Sequence, residues 1–307
     1  MSRDLPTRDA AHQVPAGITP TRLDAYAAEV FEEINSRAQG RKLARDGAIL
    51  LNGAAAESAR FVKPGDTLTL RFPLVSRAPA YRHPIEVVHL DPWVAVVIKP
   101  PGMPVRANQH RTLEHAIKYN VPRSDLVDAL PAAAPVHRLD NRTSGLVIAA
   151  RSASALTALS QAFATRKIHK RYRAVVVGEL KGEGTIDRPV GGREAISRYR
   201  ALSHVPSLHC EQLTLVDLWP LTGRTHQLRQ HVAHLGHPVL GDDLYTEGRV
   251  LRGSGLFLCA VALAFEHPES GQELQIEIDP PRKFQAFMDR EARRVATHAG
   301  PGQASIA

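Results

Sequence analysis

The feature that most limits the fold is a series of strand-like segments that begins after residue 84. Residues 85–91 and 93–102 form two apolar runs on either side of a short turn, which predicts a hairpin. Helical spacing in this part of the chain is found at residues 154–168, 226–236 and 284–296. Many strands with few interspersed helices predict an α+β domain around a mostly antiparallel sheet. The further strand candidates are residues 145–151, 171–180, 213–221, 256–265 and 274–280.

The preceding segment, residues 21–75, has the pattern of a small α/β module. A first helix is followed by a second, which is expected to begin after Ser36 as N-cap and to end at Gly47. Asn52-Gly53 is a strong turn signal. Alternating apolar residues near Leu70 then predict a strand. The module therefore has its own helices and strands.

The remaining segments divide the chain into domains. Residues 1–20 are polar and broken by prolines, which predicts a flexible leader. A linker is expected around residues 74–84, before a strand-rich domain at 81–290. Residues 291–307 are expected to form a flexible tail.

The charge of the chain favours a polyanionic partner. Among 307 residues, 39 Lys and Arg oppose 31 Asp and Glu, so the formal net charge is +8. A basic balance of this size suits nucleic acid, although a merely soluble basic protein is the alternative. The two cysteines, Cys210 and Cys259, are too few for a disulfide framework and lack zinc-site spacing. With no apolar run long enough for a membrane span and no signal-peptide pattern, we expect a cytoplasmic protein.

One carboxylate has basic residues on both sides of it in the sequence. In the stretch VHRLDNRTSGLVIAARS, Asp140 lies between Arg138 and Arg142, among turn residues that precede an apolar strand. An exposed group at the rim of a rigid sheet is well placed for function. Neighbouring arginines favour the ionised carboxylate, which suits a nucleophile or base. From the residues alone, a structural turn with an ion pair is the commoner arrangement.

A second stretch, residues 222–245, combines a basic helix with four histidines. Its sequence is TGRTHQLRQHVAHLGHPVLGDDLY, and Arg229 lies three residues after His226 on the predicted helix. The histidines raise the alternative of a metal site, but they lack the i, i+4 pair with an intervening Glu that zinc hydrolases use. Structural or RNA-facing histidines are the simpler expectation.

A third stretch, HKRYRAVVVGEL, places Tyr172 at the basic start of a strand. A tyrosine here is either a good strand former or a stacking platform for a base. The chain has no glycine-rich phosphate loop and no G-x-S-x-G motif. Their absence argues against most nucleotide-driven and serine-hydrolase functions.

Several motifs in order resemble one enzyme family. HRLDNRTSGL, IKPPGMPV, KRYRAVVVGEL, RYRAL and residues 222–245 resemble the pseudouridine synthases of the large-ribosomal-subunit (RluA) type. The N-terminal module resembles the αL RNA-binding motif of a ribosomal small-subunit protein, although Gly40 is unusual inside its helix. Arg142 also departs from the family, whose members commonly carry an acid there. This departure affects substrate choice or loop anchoring rather than the nucleophile.

The resemblance implies a cofactor-free and metal-free isomerase that converts uridines of structured ribosomal or transfer RNA to pseudouridine. It implies that Asp140 is the nucleophile or base at the ribose, that Arg229 is its basic partner, and that Tyr172 stacks on the uracil. Arg138 would fill the space that a flipped base leaves. The remaining residues expected to bind RNA are Arg37, Arg41, Lys42, Arg45, Arg224 and His226.

Two alternatives of other classes remain at this stage. One is an RNA-binding protein that has lost catalysis, for which Arg142 is the support. The other is a metal-dependent hydrolase that uses the histidines. We expect a monomer with no membrane partner, and the sequence does not identify the RNA or the uridine.

Overall fold

The computed structural model describes residues 9–31, 34, 36–71, 80–107, 109–246 and 253–298. The chain forms two compact units, Met1–Pro79 and Ala80–Ala307. Residues 1–8 of the expected leader, most of the expected linker and residues 299–307 of the expected tail lie outside the described residues.

The N-terminal unit is a small α/β structure. Its two helices pack on one sheet of strand order β1-β6-β3-β4, and β2 pairs separately with β5. The described elements are β1 (Ala10–Gln13), β2 (Thr21–Arg22), α1 (Leu23–Val30), α2 (Arg37–Arg45), β3 (Ile49–Leu51), β4 (Ala54–Ala55), β5 (Phe61–Val62) and β6 (Thr67–Leu70).

The junction between α1 and α2 explains the glycine inside the second helix. Ser36 caps α2 as expected, because its side chain accepts a hydrogen bond from the Gln39 N–H at 3.2 Å. A Cβ at Gly40 would lie 2.5 Å from the backbone oxygen of Asp24. Gly40 therefore costs helix propensity but allows the two helices to pack closely.

The expectation that residues 1–20 form a flexible leader is wrong for residues 10–14. Ala10–Gln13 forms an antiparallel edge strand against Thr67–Leu70. Val14, which follows it, is buried in the core of the unit. The sequence did not predict this strand, because prolines lie nearby and the segment has no strong apolar alternation. Backbone pairing with β6 does not require such an alternation.

The second unit is built around one large sheet. Ten strands are described in it, in the order β12-β13-β14-β11-β15-β10-β8-β7, with β16 paired to β15 and β9 paired to β10. The elements are β7 (Val87–Leu90), β8 (Val94–Lys99), α3 (Leu113–Asn120), β9 (Ala129–Pro135), β10 (Ser144–Ser152), α4 (Ala153–Ala164), β11 (His169–Val177), β12 (Glu183–Asp187), β13 (Ile196–Ser207), β14 (Glu211–Pro220), α5 (Gln227–His234), β15 (Leu258–Glu266), β16 (Glu273–Glu277) and α6 (Lys283–His298).

Helices cover parts of both faces of this sheet. Residues of α5 and α6 share one hydrophobic cluster with β11, β14 and β15. Helix α3 packs with β8 and β10 in a second cluster, and α4 packs with the same two strands in a third. The α+β class and the mostly antiparallel sheet predicted from the sequence are confirmed.

Most strands and helices of this unit were predicted, but some were missed. The hairpin of β7 and β8 is confirmed, whereas α3, β9, β12 and β13 were not anticipated. The flexible tail was expected to begin at residue 291, but α6 continues to His298. Its residue Glu291 is fully buried and accepts a hydrogen bond from the Ser207 hydroxyl at 2.8 Å.

The two halves of the large sheet meet where β10 runs parallel to β15. Every other strand pair in the described part of the sheet is antiparallel, and this junction involves only Ser144 and Gly145 opposite Cys259 and Ala260. Gly145 has φ of 115°, and a Cβ there would lie 2.2 Å from the Ala260 backbone oxygen. Only glycine fits this close approach of two backbones.

We predict that Gly145→Ala destabilises the protein by about 3 kcal/mol or more, because a Cβ would force the backbones apart and the φ is strained for alanine. Urea unfolding measures this change. Gly223→Ala is the control, since a Cβ at Gly223 meets no atom within 4 Å. Equal stabilities for the two variants would show that the junction tolerates a side chain.

Candidate active site

Asp140 lies on the loop that connects β9 to β10. The loop is closed by a turn in which the Thr143 N–H donates to the Asp140 backbone oxygen at 3.1 Å. Its next residue, Asn141, accepts hydrogen bonds at its backbone oxygen from Gly102 N–H at 2.8 Å and Lys99 Nζ at 3.0 Å. These contacts fix the loop to the end of β8, so the half-buried carboxylate is held on a rigid support.

Lys99 supports this loop from inside the protein. Its side chain is fully buried, and Nζ also donates to the backbone oxygens of Pro100 and Met103 at 2.9 and 2.8 Å. Burial lowers the pKa of Lys99 to about 8, and the charge of Asp140 opposes that shift. A buried ammonium behind the loop thus has three carbonyl acceptors and a nearby carboxylate.

Asp140 faces a pocket of about 300 Å³ in the second unit. The pocket is formed by the loop before β10, the start of β11 and the segment that leads into α5. We call it the central pocket. The site residues from the sequence that line it are Arg138, Asp140, Tyr172, Arg224, His226 and Arg229.

Tyr172 reaches the central pocket from β11. The strand places it beside β15, where it pairs with Ala260, the residue that also faces Gly145. Burial raises the pKa of the Tyr172 phenol well above its usual value, and the charge of Asp140 adds to the rise. The phenol therefore remains neutral, so it can form hydrogen bonds but is not available as a phenolate base near neutral pH.

Arg229 is paired directly with Asp242. Its Nε and Nη2 donate to the two carboxylate oxygens of Asp242 at 2.6 and 2.7 Å, and both side chains are buried. Burial acts to lower the pKa of Arg229, but the hydrogen bonds with Asp242 outweigh it and the pKa is raised. No hydrogen bond between Arg229 and Asp140 is found among the described residues, and the role of Arg229 as the basic partner of Asp140 stays a prediction. Asp140 influences Arg229 only through its charge.

His226 is the basic residue nearest to the carboxylate. Its Nε2 lies 3.9 Å from Oδ1 of Asp140, and a hydrogen bond of 2.9 Å joins its Nδ1 to the Tyr245 hydroxyl. His226 has φ of 56°, an uncommon conformation for a residue with a side chain. The Arg229 guanidinium lies 5.1 Å from the Tyr245 ring centroid. Tyr245 and Asp242 were missed as site residues, although both belong to the GDDLY end of the quoted motif.

Arg142 points away from the carboxylate. Its guanidinium forms an ion pair with Asp243 and donates to the Gly241 backbone oxygen at 2.8 Å. Arg142 therefore links the Asp140 loop to the segment that carries Asp242. Arg138, on the other side of Asp140, is exposed, and its guanidinium forms no hydrogen bond with any residue that the structure describes.

His137 is a pocket residue that the sequence did not single out. Its Nε2 accepts a hydrogen bond from the Ile148 N–H at 3.0 Å, and its ring stacks on Phe163 at 4.6 Å. Burial, together with the charge of Lys170, lowers the pKa of His137 to about 3. The imidazole is thus neutral at physiological pH and acts as a packing and acceptor group.

The histidines of the second motif have separate partners. His231 contacts Ser197 and the Arg188 backbone oxygen, His234 contacts the Arg188 side chain, and His237 contacts the Val177 backbone oxygen. Within the described ranges, no group of three or more His, Cys, Asp or Glu residues has the arrangement of a metal site. The histidines therefore do not form the ligand set that the hydrolase alternative requires.

The other expected RNA contacts lie in the N-terminal unit. Arg37 and Arg41 on α2 each donate through Nε to Asp24, at 3.1 and 3.3 Å, while about half of each side chain stays exposed. Hydrogen bonds from Arg22 and, more weakly, from Arg41 and Arg37 lower the pKa of Asp24 to about 2, against the effect of burial. Lys42 and Arg45 of the same helix are exposed.

Comparison with known proteins gives the class of enzyme. A family model described as RNA pseudouridylate synthase matches residues 94–234, which include Asp140, Tyr172 and Arg229. The protein called ribosomal large subunit pseudouridine synthase D of Xanthomonas campestris is 33% identical over 90% of each chain. Its namesake from Pseudomonas aeruginosa is 32% identical over 92% of this chain and 97% of its own.

A solved structure agrees with these matches. Human RNA pseudouridylate synthase domain containing 1 superposes with a TM-score of 0.55 and 26% identity, over 66% of this chain and 86% of its own. The chain belongs to the RluA-type family of RNA pseudouridine synthases, and it is an isomerase that converts uridine in RNA to pseudouridine. Among the described helices, none is long and apolar enough to cross a membrane.

The Arg229–Asp242 pair gives a stability prediction. Asp242→Asn leaves a buried guanidinium without its counter-charge, so we expect a loss of about 3 kcal/mol or more in the free energy of unfolding. Asp243→Asn is the matched control, because Asp243 is 57% exposed and its pair with Arg142 contributes at most about 1 kcal/mol. Urea unfolding of both variants distinguishes them. Similar small losses would mean that Arg229 is supported mainly by packing.

Proposed function

We propose that the enzyme modifies ribosomal RNA of the large subunit and that Asp140 acts on the ribose of the target uridine. The observation that supports this most is the convergence of Asp140, Tyr172 and Arg229 on one pocket of about 300 Å³. The names of the relatives favour ribosomal over transfer RNA. Such RNA is modified in the cytoplasm, where we place the protein as a monomer.

The proposed chemistry needs no redox change. The glycosidic C–N bond of the uridine breaks, the uracil turns, and a C–C bond forms to the same ribose. Asp140 is the nucleophile or base at the ribose, held by the Lys99 and Gly102 contacts to its loop. Tyr172 supports the uracil ring and, as a neutral phenol, offers a hydrogen bond near the carbon that loses its proton.

A uridine in a paired region must leave its stack before it can enter the central pocket. Unstacking costs roughly a few kcal/mol, which contacts elsewhere on the RNA must offset. Arg138 is exposed at the pocket rim and is available to occupy the vacated stack. Arg224, whose Nε donates to the Glu194 backbone oxygen at 2.9 Å, and His226 would contact the RNA on the opposite side of Asp140.

Binding by the N-terminal unit would supply further affinity. The cluster of Arg22, Arg37 and Arg41 around Asp24 holds three guanidinium groups on one carboxylate, so it keeps a net positive charge. Lys42 and Arg45 extend this charge along α2. Contacts from such a helix to phosphates position the RNA but carry little sequence information.

The alternative of an inactive RNA-binding protein rested on Arg142. Its contacts with Asp243 and Gly241 give it a role in anchoring the loop, and they leave Asp140 facing the central pocket. The departure from the family's usual acid is therefore compatible with catalysis.

The first functional prediction concerns Asp140. Asp140→Asn keeps the size of the side chain but removes its charge, so we expect pseudouridine formation to be abolished in a folded protein. Tritium release from uridine-labelled ribosomal RNA measures turnover. Asp289→Asn, which removes an exposed acid from α6, is expected to keep wild-type activity. Normal turnover by Asp140→Asn would remove this residue from the mechanism.

Tyr172→Phe separates the ring from the hydroxyl. We expect normal RNA binding, because the stacking face remains, and a rate that falls by about two orders of magnitude, because the hydrogen bond that the neutral hydroxyl offers in the transition state is lost. Single-turnover kinetics and a separate affinity measurement test both parts. A wild-type rate would show that this hydrogen bond does not contribute to the proton-removal step.

The role of α2 is tested by the salt dependence of RNA binding. In the full-length protein, the double variant Lys42→Gln with Arg45→Gln is expected to bind RNA with a weaker dependence on salt. The negative slope of log K against log[salt] should become shallower by about 1.4–1.8, because two phosphate contacts are lost. Arg290→Gln with Arg293→Gln on α6 removes the same charge elsewhere. An equal effect of the two double variants would mean that net charge, rather than α2, controls binding.

A further inference from the structure

A second concavity lies directly beside the central pocket. Its volume is about 310 Å³, and we call it the side pocket. It is formed by the end of α4, the start of β11 and the end of β14. The residues that line both pockets are Phe163, Lys170, Pro220, Thr222 and Gly223. The two pockets therefore share a wall, and a polymer that enters one can continue into the other.

Lys170 is the cation on this shared wall. It is half-buried, and its Nζ lies 5.8 Å from the Phe163 ring centroid. Within the described part of the chain, its Nζ forms no hydrogen bond or ion pair. Burial lowers the pKa of Lys170. An anion supplied by the ligand would relieve this cost.

The rest of the side pocket combines aromatic, apolar and basic groups. Trp219 lines it, and the Arg200 guanidinium lies 5.7 Å from the indole centroid. Leu221 is 47% exposed and adds apolar surface to the pocket wall. Arg166 at the end of α4 adds exposed positive charge. Apolar and aromatic walls next to cations suit a nucleobase that is attached to phosphate.

The shared rim also provides a path for the RNA backbone. At Gly223 an added Cβ would meet no atom within 4 Å, so the wall is open there. A phosphate that joins a uridine in the central pocket to a nucleotide in the side pocket would cross this rim. Lys170 lies on the same rim, which places a cation where that phosphate would pass.

We propose that the side pocket binds the nucleotide adjacent to the target uridine, with the connecting phosphate at Lys170 and the base against Trp219. This inference rests on the proposed function, because it assumes that the target uridine occupies the central pocket. Recognition of the neighbouring base would make Trp219 a determinant of which uridines are modified.

The test measures RNA affinity independently of turnover. The probe is a synthetic hairpin of large-subunit ribosomal RNA around the uridine that pseudouridine mapping identifies. Two further hairpins carry an abasic ribose immediately 5′ or immediately 3′ of that uridine. Binding is measured for the wild type, Trp219→Leu and Lys170→Gln, with Trp93→Leu as the matched control for loss of a half-buried tryptophan outside both pockets.

We expect Trp219→Leu to weaken binding of the intact hairpin about 5- to 150-fold, the loss of one stacked base. The wild type should bind one of the two abasic hairpins more weakly than the intact hairpin, by a similar factor. For that abasic hairpin, the affinity of Trp219→Leu should equal the affinity of the wild type. Trp93→Leu should leave all affinities unchanged. Lys170→Gln should lower the salt slope by about 0.7–0.9, which corresponds to one phosphate contact.

Equal binding of intact and abasic hairpins by the wild type would overturn the proposal, as would additive losses from Trp219→Leu and the abasic site.

If Trp219→Leu does not fold, the indole fluorescence of Trp219 in a Trp93→Phe background decides the question. Quenching by the intact hairpin and not by one abasic hairpin supports the proposal, and identical spectra contradict it. Failure of the proposed function is seen separately, as turnover by Asp140→Asn.

Discussion

The close approach of β10 and β15 is the constraint on which the site depends. Gly145 faces Ala260 at this parallel junction, and Ala260 also pairs with Tyr172 on the next strand. Asp140 precedes Gly145 by one tight turn. A single backbone contact thus determines the distance between the two groups that meet the ribose and the uracil in the proposed mechanism. A side chain at Gly145 would push β10 away from β15, and it would thereby also move Asp140 away from Tyr172.

Charge around the pocket is arranged in two layers. The inner layer is buried and paired: Arg229 with Asp242, and Lys99 with backbone oxygens behind the Asp140 loop. The outer layer, represented by the side chains of Arg138 and Lys170, has no ion-pair partner among the described residues. Paired buried charges fix geometry, whereas unpaired rim charges attract an anionic polymer. This division allows a basic protein to keep the Asp140 loop rigid and still present cations to RNA.

Sequence patterns predicted the parts of the structure in which local signals agree with tertiary packing. The β7–β8 hairpin and the Ser36 cap follow from apolar runs and capping chemistry. Ala129–Pro135 was missed because alanines and prolines have little strand propensity, and pairing with β10 overrides it. The Asp242 partner of Arg229 was missed because an ion pair between a helix and the loop that follows it leaves no periodic signal. The family resemblance supplied the roles of Asp140 and Tyr172, which spacing alone left open.

The most direct test of the account is a structure of Asp140→Asn bound to the ribosomal RNA hairpin that contains its target uridine. We expect this uridine to be flipped out of the RNA, with its ribose in contact with the substituted side chain at position 140 and its uracil against Tyr172. A uridine that stays stacked in the RNA, or that binds with its ribose out of contact with position 140, would contradict it.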